Sequence, residues 1–171
     1  MTASRPEFSR VVPLAQLGST PFWQKMEAMP SERERLSQRF DLLALDRLTA
    51  TVELHRQGDE LIVLKAALEA EFVQSCVASL EPVVGSISTS FMLIYGRAEA
   101  EHDAGPLTDN AVFEPLDGDV IDIGEAVAQE LSLSLPVFPR HPDAKIDAEA
   151  PVESAAKPFA SLARLKQRTE C

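Results

Sequence analysis

Hydrophobic and polar positions alternate most cleanly between Leu48 and Leu54. Leu48, Ala50, Val52 and Leu54 fall on one side, and Thr49, Thr51 and Glu53 on the other. A period of two is the signature of a strand with one buried face. The same period runs from Leu61 to Val77, where Ile62, Leu64, Ala66, Leu68, Ala70 and Phe72 share one parity and Lys65, Glu69 and Glu71 the other. That run is long for one strand, so a bulge or break is expected near Ala66–Ala67. Gln57-Gly58-Asp59 suits the hairpin turn between the two runs. After a corner at Leu80-Glu81-Pro82, Val83 to Tyr95 gives a third strand with Val83, Ile87, Phe91, Leu93 and Tyr95 on one side. Three consecutive strands with short links predict an antiparallel meander.

The flanks are less regular. Glu7 to Leu14 reads as a short strand that Pro13 ends or marks as an edge. Leu17 to Pro30, with Gly18, Pro21 and Pro30, reads as a connector pinned to the body by Phe22 and Trp23. Ser31 with Glu34 has the capping-box spacing and predicts a helix start. Leu36, Phe40 and Leu43 then give one apolar face, and Arg33, Arg35 and Arg39 a basic one. That basic face is either simply solvated or a contact surface for RNA phosphate. Gly96 to Gly118 reads as a long surface loop, followed by a short extended piece at Asp119–Ile121. Asp122 can cap a second helix, with Glu125 in its first turn, an apolar stripe of Ile123, Val127 and Leu131, and Pro136 as its stop. Pro136 and Leu131 are expected in the core. Arg140 to Ala156 has linker composition. Lys157 to Gln167 regains helical potential around Phe159, Leu162 and Ala163, but is too short to be stable alone. No internal repeat is visible.

These elements predict an α+β fold: an antiparallel meander of three to four strands with two packed helices and a mobile C-terminal tail. The expected organisation is one domain over residues 1–139 and a linker with a short basic amphipathic segment over residues 140–171. The length of 171 residues excludes an eight-unit strand–helix barrel, which needs about 250. No apolar run approaches the about 18 residues of a membrane helix, and Met1–Arg10 lacks an apolar signal core. The cytoplasm is therefore the expected location.

Charge changes the picture. The formal net charge is −11, which disfavours broad binding to nucleic acid, whose affinity rests on Lys and Arg meeting phosphates. It is also uneven. From Glu99 to Glu130 no Lys or Arg interrupts the acids, and from Lys157 to Arg168 the sign reverses. An acidic face with a basic tail is the expected arrangement.

Candidate chemistry is sparse. Cys76 would need a base or a positive neighbourhood to act as a nucleophile. Of His55, His102 and His141, the sequence places none near it, and Glu71 and Glu81 should raise its pKa. A buried strand cysteine is the expected state. Structural zinc needs four ligands, two of them closely paired. Cys76 has no paired cysteine, and Ser79 stands where a Cys-x-x-Cys would close. No metal and no cofactor are expected. Asp117-Gly118-Asp119 lacks calcium-loop spacing, and no phosphate loop, serine elbow or His-Glu-x-x-His motif is present. The chain does not read as an enzyme.

Three blocks, taken together, carry a resemblance: FVQSCVASLEPV at Phe72–Val83, GDVIDIGEAVAQELSLSLPVFPRH at Gly118–His141, and KPFASLARLK at Lys157–Lys166. In this order and spacing the chain resembles the bacterial YceD family, the large ribosomal RNA subunit accumulation proteins, and Ser31–Leu45 fits its alphaproteobacterial branch. The resemblance implies a non-enzymatic role in accumulation of large-subunit (23S) ribosomal RNA and in assembly of that subunit. The implied partners are precursor ribosomal RNA, a large-subunit ribosomal protein or an assembly factor, with no membrane and no small-molecule substrate. It marks Cys76, Ser79, Asp122, Glu125, Pro136 and His141 as family-motif positions. Many members carry a second cysteine where this chain has Ser79, and some carry more after the Leu-Pro segment, where Pro142–Lys145 has none; those cysteines look like metal ligands. The expected contact residues are Arg164, Lys166 and Arg168, with Phe159 and Leu162 as anchors. The alternative is an acidic binding module or chaperone for a basic protein, without a direct RNA role. A thiol-dependent redox protein is the third reading, and Cys76→Ser would dispose of it.

Overall fold

A computed structural model of the chain describes residues 6–58, 60–97, 111–116 and 118–145. The class is α+β, with more strands than the alternation predicted. In chain order the elements are β1 (Val11–Pro13), a 3-10 turn (Leu14–Gln16), β2 (Phe22–Glu27), α1 (Pro30–Arg39), β3 (Ala44–Gln57), β4 (Leu61–Ser75), β5 (Pro82–Gly96), β6 (Ala111–Pro115), β7 (Val120–Asp122) and α2 (Ile123–Ser134).

The meander β3-β4-β5 is the centre of a five-stranded sheet of order β2-β3-β4-β5-β6. Its members pair antiparallel except β6, which runs parallel to β5. The alternation decides which face is covered. Leu48, Val52 and Leu54 of β3 and Leu64, Leu68 and Phe72 of β4 are buried in one core with Leu36 of α1 and Val127 and Leu131 of α2. Each such side chain contributes about 1.5–3 kcal/mol on leaving water. The opposite face carries Thr49, Thr51 and Glu53 against Lys65, Ala67 and Glu69, and no helix covers it among the described residues. Gly58, at φ 68°, makes the β3–β4 turn in the left-handed region that glycine enters without strain.

Several expectations need correction. The Leu17–Pro30 connector contains β2, an edge strand paired with β3 from Phe22↔Leu54 to Glu27↔Thr49. Phe22 packs on the core, but Trp23 is 62% exposed on the open face. The N-terminal strand is only three residues long, and pairs with β7. Helix α1 starts at Pro30, not Ser31. Its N-cap is Met29, and Glu32, not Glu34, turns back so that Oε2 accepts from the Met29 amide at 2.8 Å. Leu43 lies beyond that helix and is exposed. Strand β4 has no break at Ala66–Ala67; the register shift falls between Leu45 and Arg47 on β3. The predicted Gly96–Gly118 loop contains β6. Pro136 is exposed rather than in the core.

Helix α2 is fixed at its start. Asp122 Oδ1 accepts from Gly124 N at 3.1 Å, Glu125 N at 3.2 Å and Arg10 N at 2.7 Å, and Oδ2 accepts from Ser9 Oγ at 2.6 Å. One carboxylate therefore caps the helix and ties the N-terminal segment to it. Gly124 permits this approach: a Cβ there would press on Phe8 O and lie 2.9 Å from Arg10 N.

Candidate functional site

The two described family blocks meet at the end of the sheet where β4 turns into β5. Cys76 follows β4 directly. Its amide donates to Glu81 O at 2.8 Å, and its carbonyl accepts from Leu80 N at 3.0 Å, closing a tight turn. Leu80 adopts φ 62° there, a left-handed conformation unusual for a side chain of its size. The segment after α2 lies against this turn. Val77 N donates to Pro139 O at 2.9 Å, and Gln74 Nε2 donates to Pro136 O at 3.1 Å.

The Cys76 sulfur is the hub. Sγ accepts from Ala78 N and Ser79 N at 3.4 Å and from His141 N at 3.3 Å. These donors, the His141 amide foremost and Ser79 next, pull the thiol pKa down to about 6. The expectation that Glu71 and Glu81 would raise it is thus reversed. His141 does come close to Cys76, by its main chain and not its ring. Its Nδ1 faces its own turn, accepting from Asp143 N at 3.3 Å. His55 pairs across to Val63, at the other end of β3 and β4. The thiol is buried, and among the described residues its hydrogen-bond donors are main-chain amides and no basic side chain, so the arrangement serves a structural joint better than nucleophilic chemistry.

The residues do not fit a metal. The joint offers one sulfur; the Ser79 hydroxyl donates to Glu81 Oε2 at 3.1 Å, and Pro142–Lys145 carries no thiol. Among the described residues no three His, Cys, Asp or Glu side chains gather in a metal-binding group.

Around the joint lie exposed apolar side chains: Leu80 at 76% and Phe138 at 77%, with Val77 and Val137 beside them in sequence. The open sheet face holds a groove of about 370 Å³ walled by Trp23 and Met92 and floored by Thr51, Ala67 and Ser90.

Several arginines are engaged by carboxylates or carbonyls of the chain itself. Arg10 makes a two-pronged pair with Glu32, NH1 to Oε1 at 2.7 Å and NH2 to Oε2 at 2.9 Å. That bond, above all, holds the Glu32 carboxyl below its ordinary range. Arg39, on the predicted basic face of α1, donates to Glu125 Oε1 at 2.7 Å and Oε2 at 2.9 Å, and to Glu7 at 2.9 Å. Arg33 donates to Ala28 O and Arg35 to Ser31 O. Arg47 lies between Glu69 and Glu71. Of the family-motif positions, Cys76, Ser79, Pro136 and His141 gather at the joint, while Asp122 and Glu125 anchor α2 at the other end of its axis. Phe159, Leu162, Arg164, Lys166 and Arg168 lie outside the described residues. Sequence reasoning missed the main-chain donors to Cys76 and the internal use of Arg10 and Arg39. The only available signal was the Glu32 spacing from Met29.

This is a two-layer α+β protein in which the motif positions mostly hold elements together, with exposed apolar side chains beside the joint. The family model for the large ribosomal RNA subunit accumulation protein YceD matches residues 64–166, and the chain belongs to the YceD family. That gives it a ribosome-related role in a family described by accumulation of ribosomal RNA and not by an enzyme class. Neither a curated protein nor a solved structure matches the chain. Among the described residues no helix is long and apolar enough to cross a membrane.

Proposed function

We propose that this protein supports large-subunit ribosomal RNA accumulation in the cytoplasm as a non-enzymatic binding factor. Its acidic body engages a basic large-subunit protein or assembly factor. The segment with Phe159 and Leu162 as anchors, and Arg164, Lys166 and Arg168 as cations, touches that partner or the precursor RNA. The observation that carries this reading is the pairing of Arg10, Arg39 and Arg47 with Glu32, Glu125, Glu7, Glu69 and Glu71. Cations already matched by carboxylates add little attraction for phosphate. Exposed Leu80, beside Glu81 in sequence, and exposed Phe138 favour a protein surface over naked RNA.

A binding series across salt tests it. The chain alone should bind large-subunit precursor RNA weakly, and a basic large-subunit protein should raise the affinity. Replacing Arg164, Lys166 and Arg168 by Ala should lower the salt dependence of the ternary complex. Tight, steeply salt-dependent RNA binding by the chain alone, unchanged by those substitutions, would overturn the protein-first reading. Partner binding without any effect on RNA would favour the simpler alternative, a chaperone for a basic protein.

A further inference from the structure

Strand β5 runs from Pro82 to Gly96 with no charged residue and no register shift against β4. On its outer side β6 pairs only with Met92–Gly96. Among the described residues no strand lies along Pro82–Phe91, so that stretch presents a row of outward main-chain donors and acceptors. Proteins usually blunt such an edge with lysine, proline, a bulge or short length; between Val83 and Phe91 this edge has none of them. The core is also less closed here. Ile87 and Phe91 are half-buried, whereas Ala70 and Ala66, their partners across the ladder, are buried.

We propose that this edge pairs with β5 of a second copy of the chain, antiparallel about a two-fold axis at Ile87, joining two sheets into one. The strip is its own complement about Ile87, with apolar residues at 83, 87 and 91 on one side and Ser86, Ser88 and Ser90 on the other, and its neutrality allows the contact. Two copies at −11 each repel over most of their surface, and the neutral strip is where they meet without opposing carboxylates. A basic partner would gain nothing from an uncharged strand. The two-fold places Ile87 opposite its own copy and Phe91 opposite Val83 on the core side, covering the half-exposed apolar rim. On the open side it places Ser86 opposite Ser88 and Val84 opposite Ser90. Strand β6 occupies a different stretch of the same edge, so the incoming strand lies in line with it and not over it. Such a self-complementary interface closes and does not propagate. The inference does not depend on the ribosomal reading.

The test is the mass of the full chain in reducing buffer, by light scattering or sedimentation over a concentration series. A mass of twice 18.7 kDa at tens of micromolar is expected. Ser86 and Ser88 are exposed, so S86K/S88K and S86E/S88E should keep the native circular dichroism but run as monomers. Mixing the two variants should restore the dimer, because Lys then faces Glu across the axis. A monomer at every concentration would overturn the proposal. A dimer unaffected by either charged variant would also overturn it.

Discussion

The backbone amide of His141 donates to the sulfur of Cys76 at 3.3 Å across 65 positions of chain. This bond joins the β4–β5 turn to the segment that follows α2, and so closes one end of the two-layer body. Its strength comes from the sulfur's acceptor capacity, which the three N–H groups raise by favouring the thiolate. Cys76→Ala should therefore lower the melting temperature by several degrees in a thermal denaturation scan. Despite its lowered pKa, the native thiol should react with an alkylating reagent only on unfolding, because it is buried. Fast labelling of the folded chain at Cys76 would contradict this placement.

Gly124 gives the sharpest steric prediction. An added methyl would meet main-chain atoms of Phe8 and Arg10, which have no flexible end to move aside. Gly124→Ala should cost about 2–4 kcal/mol in urea unfolding, the range of severe single-site strain. A change below about 1 kcal/mol would mean that the segment before β1 can move away from α2 cheaply.

The Arg10–Glu32 pair makes stability depend on pH. The folded carboxyl lies below its ordinary value of 4.5, mainly through its bonds to Arg10. As pH falls, the unfolded chain takes up this proton first, so the stabilisation is full above about 4.5 and is lost as pH drops through the lower folded value. Glu32→Gln should cost about 1–3 kcal/mol at neutral pH, as loss of a charge-assisted bond to a part-buried arginine does. The gap to wild type should shrink as the pH falls below 4.5 in acid unfolding curves. A constant gap would remove the pair from the acid response.

The arginines of α1 should separate in the same assay. Arg39 is held by two carboxylates and Arg35 only by a carbonyl in its own helix. Arg39→Ala should cost about 1 kcal/mol and Arg35→Ala less than about 0.5 kcal/mol. Equal effects would show that Arg39 is not the link between α1 and α2.

How much of this was legible follows from where the information sits. The β3-β4-β5 meander shows in the sequence because one face of each strand is buried, which forces a period of two from Leu48 to Phe72. Strand β2 hides because it is an edge: Gln24 lies in its inward parity and Trp23 on the open side, between Gly18, Pro21 and Pro30. Strand β6 hides because five residues in an acidic stretch carry too little pattern. The Asp122 cap was readable, since capping is a side-chain property. The donors to Cys76 were not, because a main-chain amide has no sequence signature. The same holds for Arg39, whose partners Glu7 and Glu125 are distant in the chain.

We propose that this member of the YceD family supports accumulation of large-subunit ribosomal RNA. The most direct test is the ratio of large- to small-subunit ribosomal RNA, with a sucrose-gradient profile, in cells depleted of the protein. A selective fall in large-subunit RNA, restored by re-expression of the wild-type chain, is the predicted result. An unchanged ratio and profile after verified depletion would contradict the account.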